Sequence, residues 1–260
     1  MTDDHPAPPP DDITHSNGAL RSEGVEEPAH HRVLLAAIGA WTHAPQLDTP
    51  FTLTLEPVDH EWREDLIQRG WETQALTKPQ LKVIRGHDSV LWAELEFDRL
   101  EDARRCSIAE VAAQLLIELA QAGASALYFD SAMKVMAPTL FTGIDPQDPI
   151  TLLHLFIDIW GDSEAVITEG MELFALPDIR VTGLSSRSPA AQATAFSAAA
   201  RMVCEGLLLS GGTHFSASES FPEFISDGVD FVSREGEEPD EEPSPNPNGV
   251  LHLYRAPSIG

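Results

Sequence analysis

The chain has 260 residues, 42% of them hydrophobic, which is enough for one large core or two small ones. Its 42 acidic residues exceed its 16 lysines and arginines by 26. Nucleic acid and anionic membranes, both bound through Lys and Arg, are therefore excluded as expected partners.

Cys106 and Cys204 lie 98 positions apart with no C-x-x-C spacing. That argues against a disulfide framework or a thiolate metal site, and reduced core thiols are expected. The N-terminus lacks the positive and apolar regions of a secretory signal, and the longest apolar stretch, Val33 to Trp41, is too short to cross a bilayer. The expectation is a soluble cytoplasmic protein.

Residues 1 to about 30 hold seven acids, one arginine and a Pro6 to Pro10 run with little apolar bulk. Such a segment buries too little surface to offset chain entropy, and a disordered tail is predicted. Val33 to Trp41 and Phe51 to Leu55 have strand composition. Asp59 is a helix N-cap for a short helix ending near Gly70. Val90 to Phe97 alternates, with Leu91, Ala93, Leu95 and Phe97 opposite Trp92, Glu94 and Glu96, which predicts a strand with one wet face. From Ser107, a good N-cap, the narrow polar stripe of Glu110, Gln114, Glu118 and Gln121 predicts a mostly buried helix, followed by a strand over Ala126 to Phe129.

In the second half, Leu153, Leu155, Ile157 and Ile159 alternate with His154, Phe156, Asp158 and Trp160, which reads as another strand. Val166 to Phe174 and Asp178 to Val181 supply two more. Pro189 to Leu209 reads as a second long buried helix, with Ser188 as cap and Pro189 at its first position. Thr213 to Phe215 and Val250 to Tyr254 read as strands, and the acidic, proline-rich stretch at about 235–248 as a disordered loop. The predicted fold is α+β, a largely antiparallel sheet backed by two long helices. It divides into halves over 31–148 and 149–260 that repeat one order of elements loosely, with no residue-level repeat between them.

Candidate chemistry is sparse. His60-Glu61-Trp62-Arg63-Glu64 approaches the zincin H-E-x-x-H, but Glu64 stands at the fifth position and a solvated first helical turn is the better account. Ser131-Ala132-Met133-Lys134 fits S-x-x-K without its companion motifs, so a plain turn or hairpin is expected. Asp158, Asp162 and Glu164 lack calcium-loop order and suit an acidic hairpin turn. No cofactor or metal is implied. His154 and Asp158 would lie roughly 13 Å apart along one strand, too far for a catalytic pair. The mixed face of His154, Phe156, Asp158 and Trp160 is the candidate partner-binding surface.

The run Val166 to Val181, with Thr168, Gly170, Met171, Phe174 and Ala175 followed by Asp178-Ile179-Arg180-Val181, resembles the central signature of the bacterial domain-of-unknown-function family numbered 4261. Gly211-Gly212-Thr213-His214-Phe215-Ser216 is similar to a later segment of that family. The resemblance is best over about residues 151–254. Ala175 stands where the family usually has glycine, and Arg180 where an acid is common. The resemblance implies no activity, ligand or catalytic residue, and it implies hairpin bends at Gly170 and Pro177.

The leading functional expectation is a non-catalytic binding or adaptor domain whose partner is another protein. Its specific form is an immunity-like neutraliser of a basic effector, motivated by the net charge of −26. The alternative is a hydrolytic enzyme using His154, Asp158, His214 and His252, which requires at least two of these side chains to converge in a pocket.

Overall fold

The computed structural model describes residues 31–97, 106–161, 164–185, 187–218, 222–230, 246 and 248–256. The predicted disordered tail, and nearly all of the predicted disordered loop, lie outside these residues. The exceptions are Asn246 and Asn248, which are buried and so correct the far end of that loop.

The first sheet comprises β1 (His31–Gly39), β2 (Thr52–Pro57), β3 (Ser89–Phe97), β4 (Ala124–Phe129) and β5 (Lys134–Met136). Its order is β2-β3-β1-β4-β5, and every pair is antiparallel. Helices α1 (His60–Glu72), α2 (Lys78–Arg85) and α3 (Ser107–Gln121) belong to this half. Alternation along the strands sorts side chains to two buried faces. Leu35, Ala37, Leu91, Ala93, Leu127 and Phe129 share a core with α3. Ala36, Ile38, Val90, Ala126 and Tyr128 pack with Leu66, Ile67, Leu81 and Ile84 of α1 and α2.

The expected wet face of β3 is thus partly covered. Trp92 packs against Trp62 of α1, with ring centroids 5.0 Å apart. The covering helix α2 escaped the sequence reading because it is only eight residues long. Its start nonetheless carries a signature: the Gln80 side chain accepts from the Thr77 backbone N–H at 2.8 Å, half of a capping box, with Pro79 in the first turn.

The second sheet comprises β6 (Asp158–Gly161), β7 (Ala165–Glu169), β8 (Asp178–Thr182), β9 (His214–Phe215), β10 (Phe224–Asp230) and β11 (Val250–Arg255). They lie in the order β6-β7-β8-β11-β10-β9, antiparallel except for the parallel β8–β11 pair. The fold is α+β with two mostly antiparallel sheets. The strands of the first sheet lie between residues 31 and 136 and those of the second between 158 and 255, and only the second contains a parallel pair.

One expected strand is instead a helix. Residues Pro149–Phe156 form α4, capped by Asp148, whose carboxylate accepts from the Ile150 and Thr151 N–H groups. The run Leu152 to Trp160 is so apolar that period two and period 3.6 fit it equally, and the deciding signal was Asp148-Pro149, an N-cap followed by proline at the first helical position. Helix α4 packs against both α3 and α5 (Pro189–Glu205). Through them one buried cluster joins the inner faces of both sheets. Helix α5 stops at Gly206 in the left-handed conformation, short of the expected Leu209.

The two cysteines form no disulfide with each other, and they are not both core thiols. Cys106 is partly buried, whereas Cys204 is exposed on α5.

Candidate functional site

Strand register decides which residues share a face of the second sheet. Val166, Val181, Leu251, Leu253 and Phe224 point inward and are fully buried with α5. Their neighbours point outward. One cross-strand row runs Trp160, Ile167, Arg180, His252 and Gly228. The next runs Ala165, which is itself fully buried, then Thr182, Tyr254, Ile225 and His214. No described helix packs on this outward face, whereas α1 and α2, α3, and α5 lie against the other three sheet faces. Trp160 is 41% exposed and Tyr254 39%. The edges of the sheet are short, four residues in β6 and two in β9, so the broad face offers more contact surface than either edge.

The structure separates the candidate quartet. His154 and Phe156 lie on α4, where His154 stacks on Phe196 of α5 at 4.6 Å and Phe156 is fully buried against Phe129. Asp158 and Trp160 lie on β6 and alone of the four can share a sheet face. Among the histidines weighed for hydrolysis, His214 Nδ1 sits 3.0 Å from Glu223, and His252 Nε2 is 3.9 Å from Asp230. Each has its own neighbour, and His214 and His252 stand on strands separated by β10.

The S-x-x-K segment is the turn of the β4–β5 hairpin, as expected from its sequence. Its lysine serves the structure, because Lys134 Nζ donates to the carbonyls of His154 (2.8 Å) and Ile157 (2.7 Å). It thereby satisfies the C-terminal end of α4, where orphan carbonyls and the helix dipole favour a cation. Glu64, at the fifth position of the zincin-like run, is spent on Arg85 of α2, whose Nη2 approaches at 2.9 Å. That guanidinium holds the carboxyl of Glu64 below its ordinary range.

At one end of the outward face lies a feature that the sequence reading missed. After β7 the chain turns at Gly170 (φ +99°), makes a 3-10 turn over Met171–Phe174 and leaves through Ala175 (φ +53°) into β8. Asp178, 4% exposed, organises this turn. Its carboxylate accepts from the Met171 N–H (3.2 Å), the Thr168 hydroxyl (3.3 Å) and the Asn246 amide (2.9 Å). Asn246 also donates to the carbonyl of Leu176. Glu172, 8% exposed, faces Asp178, Asp130 and Glu169 as like charges, and among the described residues no hydrogen-bond donor reaches it. Burial pushes Glu172 up to about 8 and Asp178 up to about 7, the three donors to Asp178 opposing the shift there. Burial also raises Glu169, against the hydrogen bond that the indole of Trp160 donates to it. Thr168, Gly170 and Met171 were visible in the sequence as a turn signature. Their link to Asp178 and Asn246, 68 residues apart, exists only in three dimensions.

These acids do not form a cation site: no group of three or more His, Cys, Asp or Glu side chains among the described residues has metal-binding geometry. What the network can do is fix the turn that carries β7 into β8, and so set the register of the outward face. Ala175 tests this locally. A left-handed backbone costs a non-glycine residue about 1 kcal/mol, so Ala175→Gly is expected to raise stability by about that amount in urea unfolding. An unchanged midpoint would show that the turn relaxes without cost.

Compared with known proteins, the chain matches no family model, no curated protein and no solved structure.

Proposed function

We propose that this chain is a non-catalytic protein-binding domain whose contact surface is the outward face of the second sheet, with Trp160 and Tyr254 as its aromatic anchors. The observation that carries this reading is the face itself: two exposed aromatics stand in adjacent rows of apolar and polar side chains, and no described helix covers them. Aromatic residues beside polar groups are the composition in which interface cores are enriched. Asp158, Glu169 and Asp230 lie along one end of the face, and the net charge of −26 favours fast encounter with a basic protein. In its most specific form the reading is an immunity-like neutraliser of a basic effector, acting in the cytoplasm. No helix among the described residues is long and apolar enough to cross a membrane.

With a partner in hand, Trp160→Ala is expected to weaken binding by about 2 kcal/mol, roughly thirtyfold in Kd by titration calorimetry. Leu140→Ala, at an exposed position outside this sheet, should leave the affinity unchanged. Equal affinities for wild type and a folded Trp160→Ala variant would remove this face from consideration, and turnover in a broad substrate screen would overturn the non-catalytic reading.

A further inference from the structure

The chain contains three lysines, and their placement is uneven. Lys134 is committed to the end of α4. The other two, Lys78 and Lys82, line a single open groove of about 520 Å³ between α1 and α2 on the outside of the first half. The buried side chains of Ile67 and Leu81 floor the groove and Trp71 forms its exposed apolar wall. Trp71 is 52% exposed, and Lys78 Nζ stands 5.2 Å from the centre of its ring. A cation over an indole face keeps its charge available to solvent while its stem and the ring form one surface. Lys82 lies one helical turn further along α2, on the same side as Lys78. Of the remaining charges on the groove, Arg85 and Glu64 neutralise each other, which leaves two lysines facing one carboxylate, Asp65.

An exposed tryptophan flanked by lysines is anomalous on a chain that carries 42 acids. Folding does not explain it, because α1 and α2 meet the first sheet through Leu66, Ile67, Leu81 and Ile84, a cluster to which Trp71 does not belong. We infer that the groove between α1 and α2 docks a short acidic peptide segment of a protein partner, an apolar side chain of the peptide lying against Trp71 and Leu81 while flanking carboxylates meet Lys78 and Lys82. Charge complementarity selects this occupant. A basic peptide would meet two lysines at contact distance. A long polyanion would extend beyond the groove onto a surface of net charge −26, whose repulsion a short peptide avoids once screening limits its reach to about 8 Å. This surface is separate from the outward face of the second sheet, so its failure and the failure of that reading are distinguishable.

The test uses the full chain and three labelled probes in fluorescence anisotropy: a dodecapeptide with a Leu-x-x-Phe pair among glutamates, the same peptide with lysines for the glutamates, and oligo-dT of twelve nucleotides. The expected result is binding of the acidic peptide with Kd on the order of 10 μM at 0.1 M salt, at least tenfold tighter than either other probe. Raising the salt to 1 M, where the Debye length falls to about 3 Å, should weaken it severalfold. Lys78→Glu with Lys82→Glu should reverse the preference toward the basic peptide. The single variants Lys82→Gln and Trp71→Ala, both at exposed positions, should each weaken the acidic peptide at least threefold with unchanged circular dichroism. Absent binding of the acidic peptide, equal binding of both peptides, tighter binding of oligo-dT, or affinities unchanged by all these variants would overturn the inference.

Discussion

Gly170→Ala is expected to destabilise the fold by about 4 kcal/mol or more, a large fraction of the stability of a typical domain. Two effects add at this position. The backbone is left-handed at φ +99°, which costs an alanine about 1 kcal/mol. A Cβ there would also overlap the carbonyl oxygen of Phe156, with the Phe129 ring at 3.2 Å and the Ala132 Cβ at 3.3 Å on its other sides. None of these can yield. Phe156 ends α4, Phe129 ends β4, and Ala132 sits in the hairpin turn whose Lys134 holds α4 in place. Gly143→Ala is the control, since φ there is +75° and nothing lies within 4 Å of an added Cβ. It should lose only the conformational part, about 1 kcal/mol. Matching urea midpoints for the two variants would show that the β7–β8 turn does not seat against the first half as described.

The second large effect is a dependence of stability on pH that runs opposite to acid denaturation. Glu172 and Asp178 titrate near 8 and 7 when folded, against ordinary values of 4.5 and 3.8. Between about pH 4 and pH 8 the folded chain therefore holds more protons than the unfolded one, and stability falls as pH rises through that window. The group facing the worst environment is Glu172, which meets Asp178 from β8, Asp130 from the turn after β4 and Glu169 from β7, with no described donor to offset them. Asp178 has three donors and is the better placed of the two to keep its charge. Melting curves are expected to show a Tm several degrees higher at pH 5 than at pH 8. Repulsion within a chain of net charge −26 works in the same direction, so the diagnostic is Glu172→Gln. This variant should be close to wild type at pH 5 and more stable than wild type by a few kcal/mol at pH 8. A variant equally destabilised at both pH values would place a needed carboxylate at that position.

Much of the architecture could be read in the residues, and the failures have physical causes. Strands β1, β3 and β11, and helices α1, α3 and α5, declared themselves through period and caps, because each has one face or one stripe that differs from the rest. Helix α4 did not, since Leu152 to Trp160 is apolar on nearly every side. Strand β10 was missed because Ser226-Asp227-Gly228 reads as a turn; it is in fact a bulge, where the β10–β11 register shifts between Ser226 and Gly228. The candidate face was misassembled for the same reason as α4: a strand extrapolated back from β6 enrolled His154 and Phe156, of which the helix leaves His154 exposed beside Phe196 and directs Phe156 into the core. Trp160 survived because it lies beyond the helix end, and its true neighbours, Ile167, Arg180 and His252, come from strands that no local pattern could bring together. The buried acids were invisible for a further reason. A glutamate in a sequence reads as surface, and only the packing of Gly170 against α4 carries Glu172 inside.

Binding of another protein at the outward face of the second sheet can be measured by site-specific photocrosslinking in cells that naturally produce the chain. A photoreactive phenylalanine analogue is placed at position 160, at position 254, or at the exposed control position 140. One and the same protein adduct is expected from positions 160 and 254 and none from position 140, with the captured protein basic and its purified form bound thirtyfold more weakly by Trp160→Ala. No adduct at 160 or 254, or the same adducts from all three positions, would contradict binding through this face.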